Sequence, residues 1–420
     1  MFYKETNFKE TPIGRVPKDW EVVKLGDRGV AEIRGNKIVS NIEKVAFIPM
    51  EFVPDQEIFT KYEIRSLKDV SSSTYCEAGD LLLAKITPSL ENGKQGIVPE
   101  NIPNGFALAT TEVYPIVCKG IDRLLLFYIL KFPKFRKILE FSMRGTTGRQ
   151  RVPKEAVEKL RIPLPPLPEQ RKIAEVLSAV DEAIRRTGEV IAKTERLKKG
   201  LMQTLLTRGI GHKEFKDTEI GRIPKEWKIT KLRDVVKRVT DILSKEEIKR
   251  LGAKYVLYSI PAYHEKGKPE LVKAEEIGST KFLVQIGDIL FGKINPKVPK
   301  VWVVEHTNAI ASTEFIVLRP DKGKVVNRFL YYLLQTDRIL QSSIAQAKGA
   351  VPSRLRTDIG SFMQMSIQLP SIEEQEKIAE ILSNVDKKLE LERNEKAKLE
   401  RIKQGLMDLL LTGKIRVKVG

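Results

Sequence analysis

Two stretches of the chain place aliphatic residues in alternating steps of four and three, the spacing of a helix face that packs along its whole length. The first runs through Ile173, Leu177, Val180, Ile184, Thr187, Ile191, Thr194, Lys198, Leu201 and Leu205. The second runs through Ile378, Leu382, Val385, Leu389, Glu392, Lys396, Leu399, Lys403, Leu406 and Leu410. Seven of ten positions are aliphatic in each, and the polar ones sit in the middle. A lone helix would leave this stripe in water, so the pattern predicts two long helices packed on each other as a coiled coil. Boundary signals agree. Pro168 suits a first helical turn, Ser371 with Glu374 makes a capping box, and Gly209 and Gly413 follow the last periodic residues. Elsewhere short apolar runs predict strands at 45–48, 81–86, 113–117, 302–304 and 315–318. Amphipathic stretches predict helices at 124–131, 135–141, 329–334 and 339–345.

The two periodic stretches belong to an internal repeat. Residues 169–207 align with 374–412 at an offset of 205, with 21 of 39 positions identical. Residues 11–27 return as 218–234, and 78–88 return as 286–296. The ends of each copy match closely while the middles match only in islands. A duplicated frame therefore carries two different payloads, as an asymmetric two-part target requires. The fold expected is mixed α/β (α+β) with a two-fold internal repeat: globular domains at 1–165 and 211–370, helical regions at 166–210 and 371–420. An antiparallel helix pair uses the duplication, because it relates the two globular domains by a pseudo-twofold axis.

Charge narrows the class of partner. Lys and Arg number 74 against 55 Asp and Glu, a formal net charge of +19. The excess lies in the globular blocks. Residues 1–165 hold 26 basic and 21 acidic side chains, residues 208–370 hold 29 and 18, and the helical stretches are nearly balanced. A polyanion such as nucleic acid would touch the globular parts. With 2 cysteines, Cys76 and Cys118, neither a disulfide framework nor a four-thiolate zinc site is available, which fits a reducing cytoplasm. Met1 to Glu10 lacks the apolar core of a signal peptide, and no apolar run is long enough to span a bilayer.

Catalytic signatures are thin. Gly287 to Lys293 matches seven positions of a phosphate-binding loop, but Ile294 stands where Ser or Thr would hold Mg²⁺. Its apolar interior reads instead as a turn, a buried strand and an emerging Lys. His212, His264 and His306 have no paired metal-ligand spacing. No cofactor or metal is expected, and the Asn/Asp-Pro-Pro-aromatic motif of amino-methyltransferases is missing.

Two loops recur at equivalent places and carry groups suited to DNA. One follows the Gly-Asp strand and offers Lys85 and Thr87 in the first copy, Lys293 and Asn295 in the second. Lys contacts phosphate or guanine, and Asn can bond adenine in two places. The other precedes the last strand of each block and offers Arg144, Arg149 and Arg151, then Lys348, Arg354 and Arg356. Its arginines present planar forks that match guanine or phosphate.

Together these features resemble the specificity subunit of type I restriction–modification systems. The resemblance rests on Ile13-Gly14, Pro17 and Trp20 and their copies Ile220-Gly221, Pro224 and Trp227. It rests also on the two Gly-Asp strands, the Glu-Gln-x-Lys-Ile-Ala runs at 169–174 and 374–379, and the helix endings at 198–207 and 403–412. It implies two target-recognition domains that each read half of a bipartite double-stranded DNA sequence, and an antiparallel coiled coil that sets the gap. It implies a non-catalytic subunit that recruits two adenine methyltransferase subunits and endonuclease/translocase subunits, in the cytoplasm. A protein-only coiled-coil scaffold and a stand-alone DNA-modifying enzyme are the alternatives.

Overall fold

The two periodic stretches are continuous helices, Leu167–Arg208 and Ile372–Leu411, in a computed structural model describing residues 2–146, 148–251, 254–295, 300–347 and 355–418. All fourteen aliphatic seam residues are buried or half-buried, as is Thr194. Both helices stop where a glycine adopts a left-handed backbone, φ 67° at Gly209 and 68° at Gly413. Neither glycine has room for a side chain. A Cβ on Gly209 would lie 2.8 Å from the Trp227 ring, and one on Gly413 would lie 2.3 Å from Pro17. The stop signals thus also seat the two repeated tryptophan motifs.

The chain divides into two units that are not contiguous blocks. The first is Met1–Glu189 with Asn394–Gly420, and the second is Val190–Arg393. Each therefore contains one globular block and a segment of both long helices.

In the first unit an antiparallel four-stranded sheet runs in the order Gln95–Ile97, Leu81–Ala84, Val113–Cys118, Ala31–Ile33. A second sheet runs Glu63–Ser66, Lys44–Ile48, Phe106–Ala109, Thr74–Glu77, with its central pair parallel. Leu81 to Ala84 are buried on both faces, which is why that strand reads as a continuous apolar run. Helices Arg123–Lys131 and Pro133–Phe141 pack on the first sheet. The main core joins Leu81, Leu83, Phe127 and Phe135 to Ile173 and Leu177 of one long helix and Met407 and Leu410 of the other.

The second unit repeats this topology. Val301–Val303, Ile289–Gly292, Phe315–Pro320 and Val236–Val239 form an antiparallel sheet in the corresponding order. The companion sheet gains a fifth strand: Ile242–Leu243, Lys281–Val284, Ala309–Ser312, Lys254–Tyr258, Glu270–Lys273. Its core joins Phe291, Phe329 and Leu333 to Leu205 and Leu206 of one long helix and Ile378 and Leu382 of the other. The middles that barely match in sequence share the order of their sheets and differ by an added edge strand.

Within each unit the helix segments run antiparallel. In the first, Asp181 meets Lys403 at 2.5 Å, and further along a Cβ on Gly188 would lie 3.9 Å from the Lys396 ammonium. In the second, Lys198 meets Asp386 at 2.6 Å and Glu195 meets Arg393 at 2.6 Å. The Asp–Lys pair uses the same repeat positions in both, with the helices exchanged.

Candidate nucleic-acid interface

Each globular block is fixed to the helix segments of its own unit by three repeated contacts. The Trp20 indole donates to Glu169 Oε2 at 3.0 Å, and the Trp227 indole donates to Glu374 Oε2 at 2.9 Å. Gln170 Oε1 accepts from the Asp122 amide at 2.7 Å, and Gln375 Oε1 accepts from the Val326 amide at 2.8 Å. The Tyr128 hydroxyl donates to Asp181 at 2.7 Å, and the Tyr332 hydroxyl donates to Asp386 at 2.8 Å. Burial, with the neighbouring carboxylate, pushes both phenols well above the usual tyrosine range, so they act as permanent donors. The Glu-Gln of each repeated Glu-Gln-x-Lys-Ile-Ala run is thus a docking pair.

The Gly-Asp turn positions the next strand. Gly79 and Gly287 take φ 82° and 92°. Asp80 and Asp288, 3% and 1% exposed, cap the turn by accepting from the Glu77 and Gln285 amides. Each buried carboxylate is matched by a two-pronged arginine, Arg34 at 2.6 and 2.8 Å and Arg319 at 2.8 and 2.9 Å. The arginines come from different places, Arg34 just after the strand Ala31–Ile33 and Arg319 within Phe315–Pro320. The segment 287–293 is therefore a turn and a buried strand, not a phosphate loop.

At the end of that strand the two basic loops meet. In the first unit the Lys85 amide donates to the Glu112 carbonyl at 3.0 Å, and the Val152 amide donates to the Lys85 carbonyl at 2.9 Å. Thr87 and Ile86 are tied to Gln150 and Arg151 in the same way. Arg151 grips Glu112 with two hydrogen bonds, 2.8 Å from Nε and 2.7 Å from Nη2. That grip holds the Glu112 carboxyl below its ordinary range. The Lys85 ammonium lies 4.8 Å from the Tyr114 ring centre, and partial burial lowers its pKa.

The second unit builds the same cluster. The Lys293 amide donates to the Glu314 carbonyl at 2.9 Å, the Thr357 amide donates to the Lys293 carbonyl at 3.0 Å, and Ile294 pairs with Arg356. Arg356 reaches Glu314 by a single bond, Nη2 to Oε1 at 3.0 Å. Burial again lowers the pKa of the lysine. Glu314 Oε2 and the Thr357 hydroxyl, in a residue 4% exposed, lack a hydrogen-bond partner among the described residues. A buried polar atom left this way costs about 1–3 kcal/mol.

The two loops read as separate in the sequence are thus one surface in each unit. Arg144 and Arg149 are exposed, Arg144 pairing with Arg151 through the backbone. Thr87 Oγ1 donates to Glu91 at 2.5 Å rather than pointing free. Asn295 is exposed with a left-handed φ of 47°. Lys348 and Arg354 lie outside the described residues. Glu112 and Glu314 were missed in the sequence. Their signal was present: Thr111-Glu112 and Thr313-Glu314 recur at the head of equivalent strands. Among the described residues no cluster of His, Cys, Asp or Glu could hold a metal, and no helix is long and apolar enough to cross a membrane.

The family model described as "Type I restriction modification DNA specificity domain" matches twice, over residues 17–196 and 224–401. The MjaVIII type I restriction enzyme specificity subunit of Methanocaldococcus jannaschii is 31% identical over 451 residues, covering 100% of this chain and 98% of that protein. A putative MjaX specificity subunit of the same organism is 30% identical over 442 residues, covering 100% and 99%. The crystal structure of a type I restriction–modification S subunit from M. genitalium superposes with a TM-score of 0.58 at 13% identity, covering 93% and 96%, a likeness of fold. With both halves matched in order over most of its length, this chain belongs to the type I restriction–modification DNA specificity family.

Proposed function

We propose that the chain is the non-catalytic specificity subunit of a type I restriction–modification complex. It recognises a bipartite, asymmetric double-stranded DNA target and directs adenine methyltransferase and endonuclease/translocase subunits to it, in the cytoplasm. Residues 1–165 and 211–370 are the target-recognition domains, and 166–210 and 371–420 are the helical regions between them. The observation that carries this reading is the Lys–Glu–Arg cluster built twice, at the same place in a repeated fold, in a chain of net charge +19.

The mechanism is geometric. Lys85, Thr87, Arg144, Arg149 and Arg151 face one half-site, and Lys293, Asn295, Lys348, Arg354 and Arg356 the other. Exposed arginines contact phosphates and set position, while the clustered side chains read base edges. The docking contacts from Trp, Gln and Tyr hold each domain at a fixed attitude to its helix segments. The helix pair, continuous as a coiled coil, then sets the unread spacer.

The experiment is co-expression with the cognate methyltransferase subunits and sequencing of methylated adenines. A split target is expected, and whole heptads added to both helices lengthen its spacer. An unchanged spacer would refute the ruler. Duplex affinity falls steeply with salt, and Arg149→Ala lowers the log–log slope by about one. Salt-independent binding would favour a protein-only scaffold, and turnover by the isolated chain with Mg²⁺ and S-adenosylmethionine would favour an enzyme.

A further inference from the structure

The two Lys–Glu–Arg clusters share residue types and backbone register, yet differ in what they leave free. In the first unit both oxygens of Glu112 are taken by Arg151, at 2.7 and 2.8 Å. The residue beside Lys85 on the next strand is Val152, fully buried and apolar, so it offers no acceptor. That cluster presents donors only: an ammonium and a guanidinium whose plane is fixed by its own carboxylate.

In the second unit Arg356 occupies one oxygen of Glu314, and the residue at the Val152 position is Thr357. Among the described residues Glu314 Oε2 and Thr357 Oγ1 have no partner. Both residues flank Lys293 as cross-strand neighbours, since its amide bonds to Glu314 and its carbonyl accepts from Thr357. The Glu314 side chain is 31% exposed while its Oε2 is buried, and its terminal torsion is soft, so the idle oxygen reaches a base only when the carboxylate rotates.

Resting on the reading that this chain binds duplex DNA, we propose that Glu314 is a specificity-determining residue of the second recognition domain. It accepts a hydrogen bond from the exocyclic amino group of an adenine or cytosine in the major groove, with Thr357 steadying the carboxylate. Glu112, already saturated, serves only to orient Arg151. An idle carboxylate oxygen is complementary to the amino groups that A and C present there and repels the acceptor edges of G and T. A mismatched base therefore leaves the acceptor unpaired, the strongest form of rejection such a site has.

The test uses the full chain assembled with its methyltransferase subunits. Methylated sites are sequenced for wild type, Glu314→Gln, Thr357→Val and Glu112→Gln. Glu314→Gln and Thr357→Val are expected to relax discrimination about tenfold at one common base pair of one half-site. Glu112→Gln is expected to lower occupancy without changing the sequence read. Thr357→Val places in the second cluster the residue the first cluster already holds, so a folding failure there is not expected. Duplexes lacking the amino group at that base pair, purine for adenine or 2-pyrimidinone for cytosine, then bind wild type about tenfold more weakly and bind Glu314→Gln no worse than the parent duplex. Equal losses for both chains, or an unchanged target in both second-unit variants, would overturn the proposal while leaving DNA recognition standing. A wild-type complex that binds no duplex would sink the parent reading and this one with it.

Discussion

Glu169 and Glu374 occupy the same position of the repeat, each accepting from a tryptophan indole, yet their remaining partners differ in kind. In the first unit Arg416 grips Glu169 at 2.6 and 2.7 Å, spans Asp19 at 2.8 and 2.9 Å, and reaches Glu5 at 2.6 Å. In the second unit Glu374 takes the Ile210 amide at 2.9 Å and the His212 ring at 2.9 Å, with Glu226, the copy of Asp19, 3.6 Å from the ring. One carboxylate faces a permanently charged guanidinium, and the other sits in hydrogen bonds whose ring partner is charged only when protonated. A duplicated frame constrains the acceptor far more tightly than the group that satisfies it. What persists is the demand that the oxygens of a poorly solvated carboxylate find hydrogen-bond donors.

The largest expected effect separates the two frames. Glu169→Ala removes two charge-assisted bonds from Arg416, 6% exposed, and leaves the Trp20 indole unpaired, while Asp19 and Glu5 still hold the guanidinium; it should cost the first unit about 3–5 kcal/mol. Glu374→Ala leaves only an indole, an amide and a ring wanting, at about 1–3 kcal/mol. Native-state hydrogen exchange, read unit by unit, measures both. Equal losses would break the comparison.

Next come Tyr128→Phe and Tyr332→Phe. Each removes a donor to a carboxylate that keeps its lysine from the opposite helix, so each should cost about 1.5–3 kcal/mol and the two should agree closely. A difference beyond 1 kcal/mol, on the order of a decade in exchange protection, would show that the frame is less symmetric than its contacts.

The smallest effect is in pH. Hydrogen bonds from Arg416 hold Asp19 below the ordinary carboxyl range, and the Asn7 amide, with Arg416, does the same for Glu5. A depressed carboxyl contributes stability that is complete above its ordinary value and is lost as pH falls through the depressed one. Exchange of the Trp20 indole should therefore accelerate below about pH 4 beyond its intrinsic dependence. Arg416→Met should remove the part of that added acid sensitivity that comes from Asp19 and leave the part that the Asn7 amide gives Glu5, and an unchanged dependence in the variant would assign it elsewhere.

Much of the frame was legible in the chain. The 3–4 spacing predicted both long helices to within a few residues because each must keep one face dry for its whole length. The glycines at 209 and 413 marked their ends because no other residue fits there. The shared topology of the middles was not legible. Strands such as Ala31–Ile33 and Gln95–Ile97 are three residues long, below the length at which alternation can be told from chance. The predicted strand 81–86 stops at Ala84: Lys85 still bonds to Glu112 in register, but Ile86 pairs with Arg151 instead of with the neighbouring strand. The basic residues of the candidate interface were visible as charge. Their carboxylate partners were marked only by the recurring Thr-Glu at 111–112 and 313–314, and a Glu before a strand looks like any solvated side chain until the fold brings an arginine onto it.

The pairing of Phe2–Lys4 with Ile415–Val417 makes the order of synthesis matter. Met407, Leu410 and Val417 enter the same core as Trp20 and Leu81, so the first unit cannot complete its interior until the ribosome has passed residue 417. The second unit lies within a single uninterrupted stretch and has all its parts when residue 393 emerges. The half translated first must therefore wait, partly open, for the half translated second. A chain broken off after residue 393 but short of residue 417 would carry one finished module and one exposed one, a state that proteolytic quality control is suited to remove.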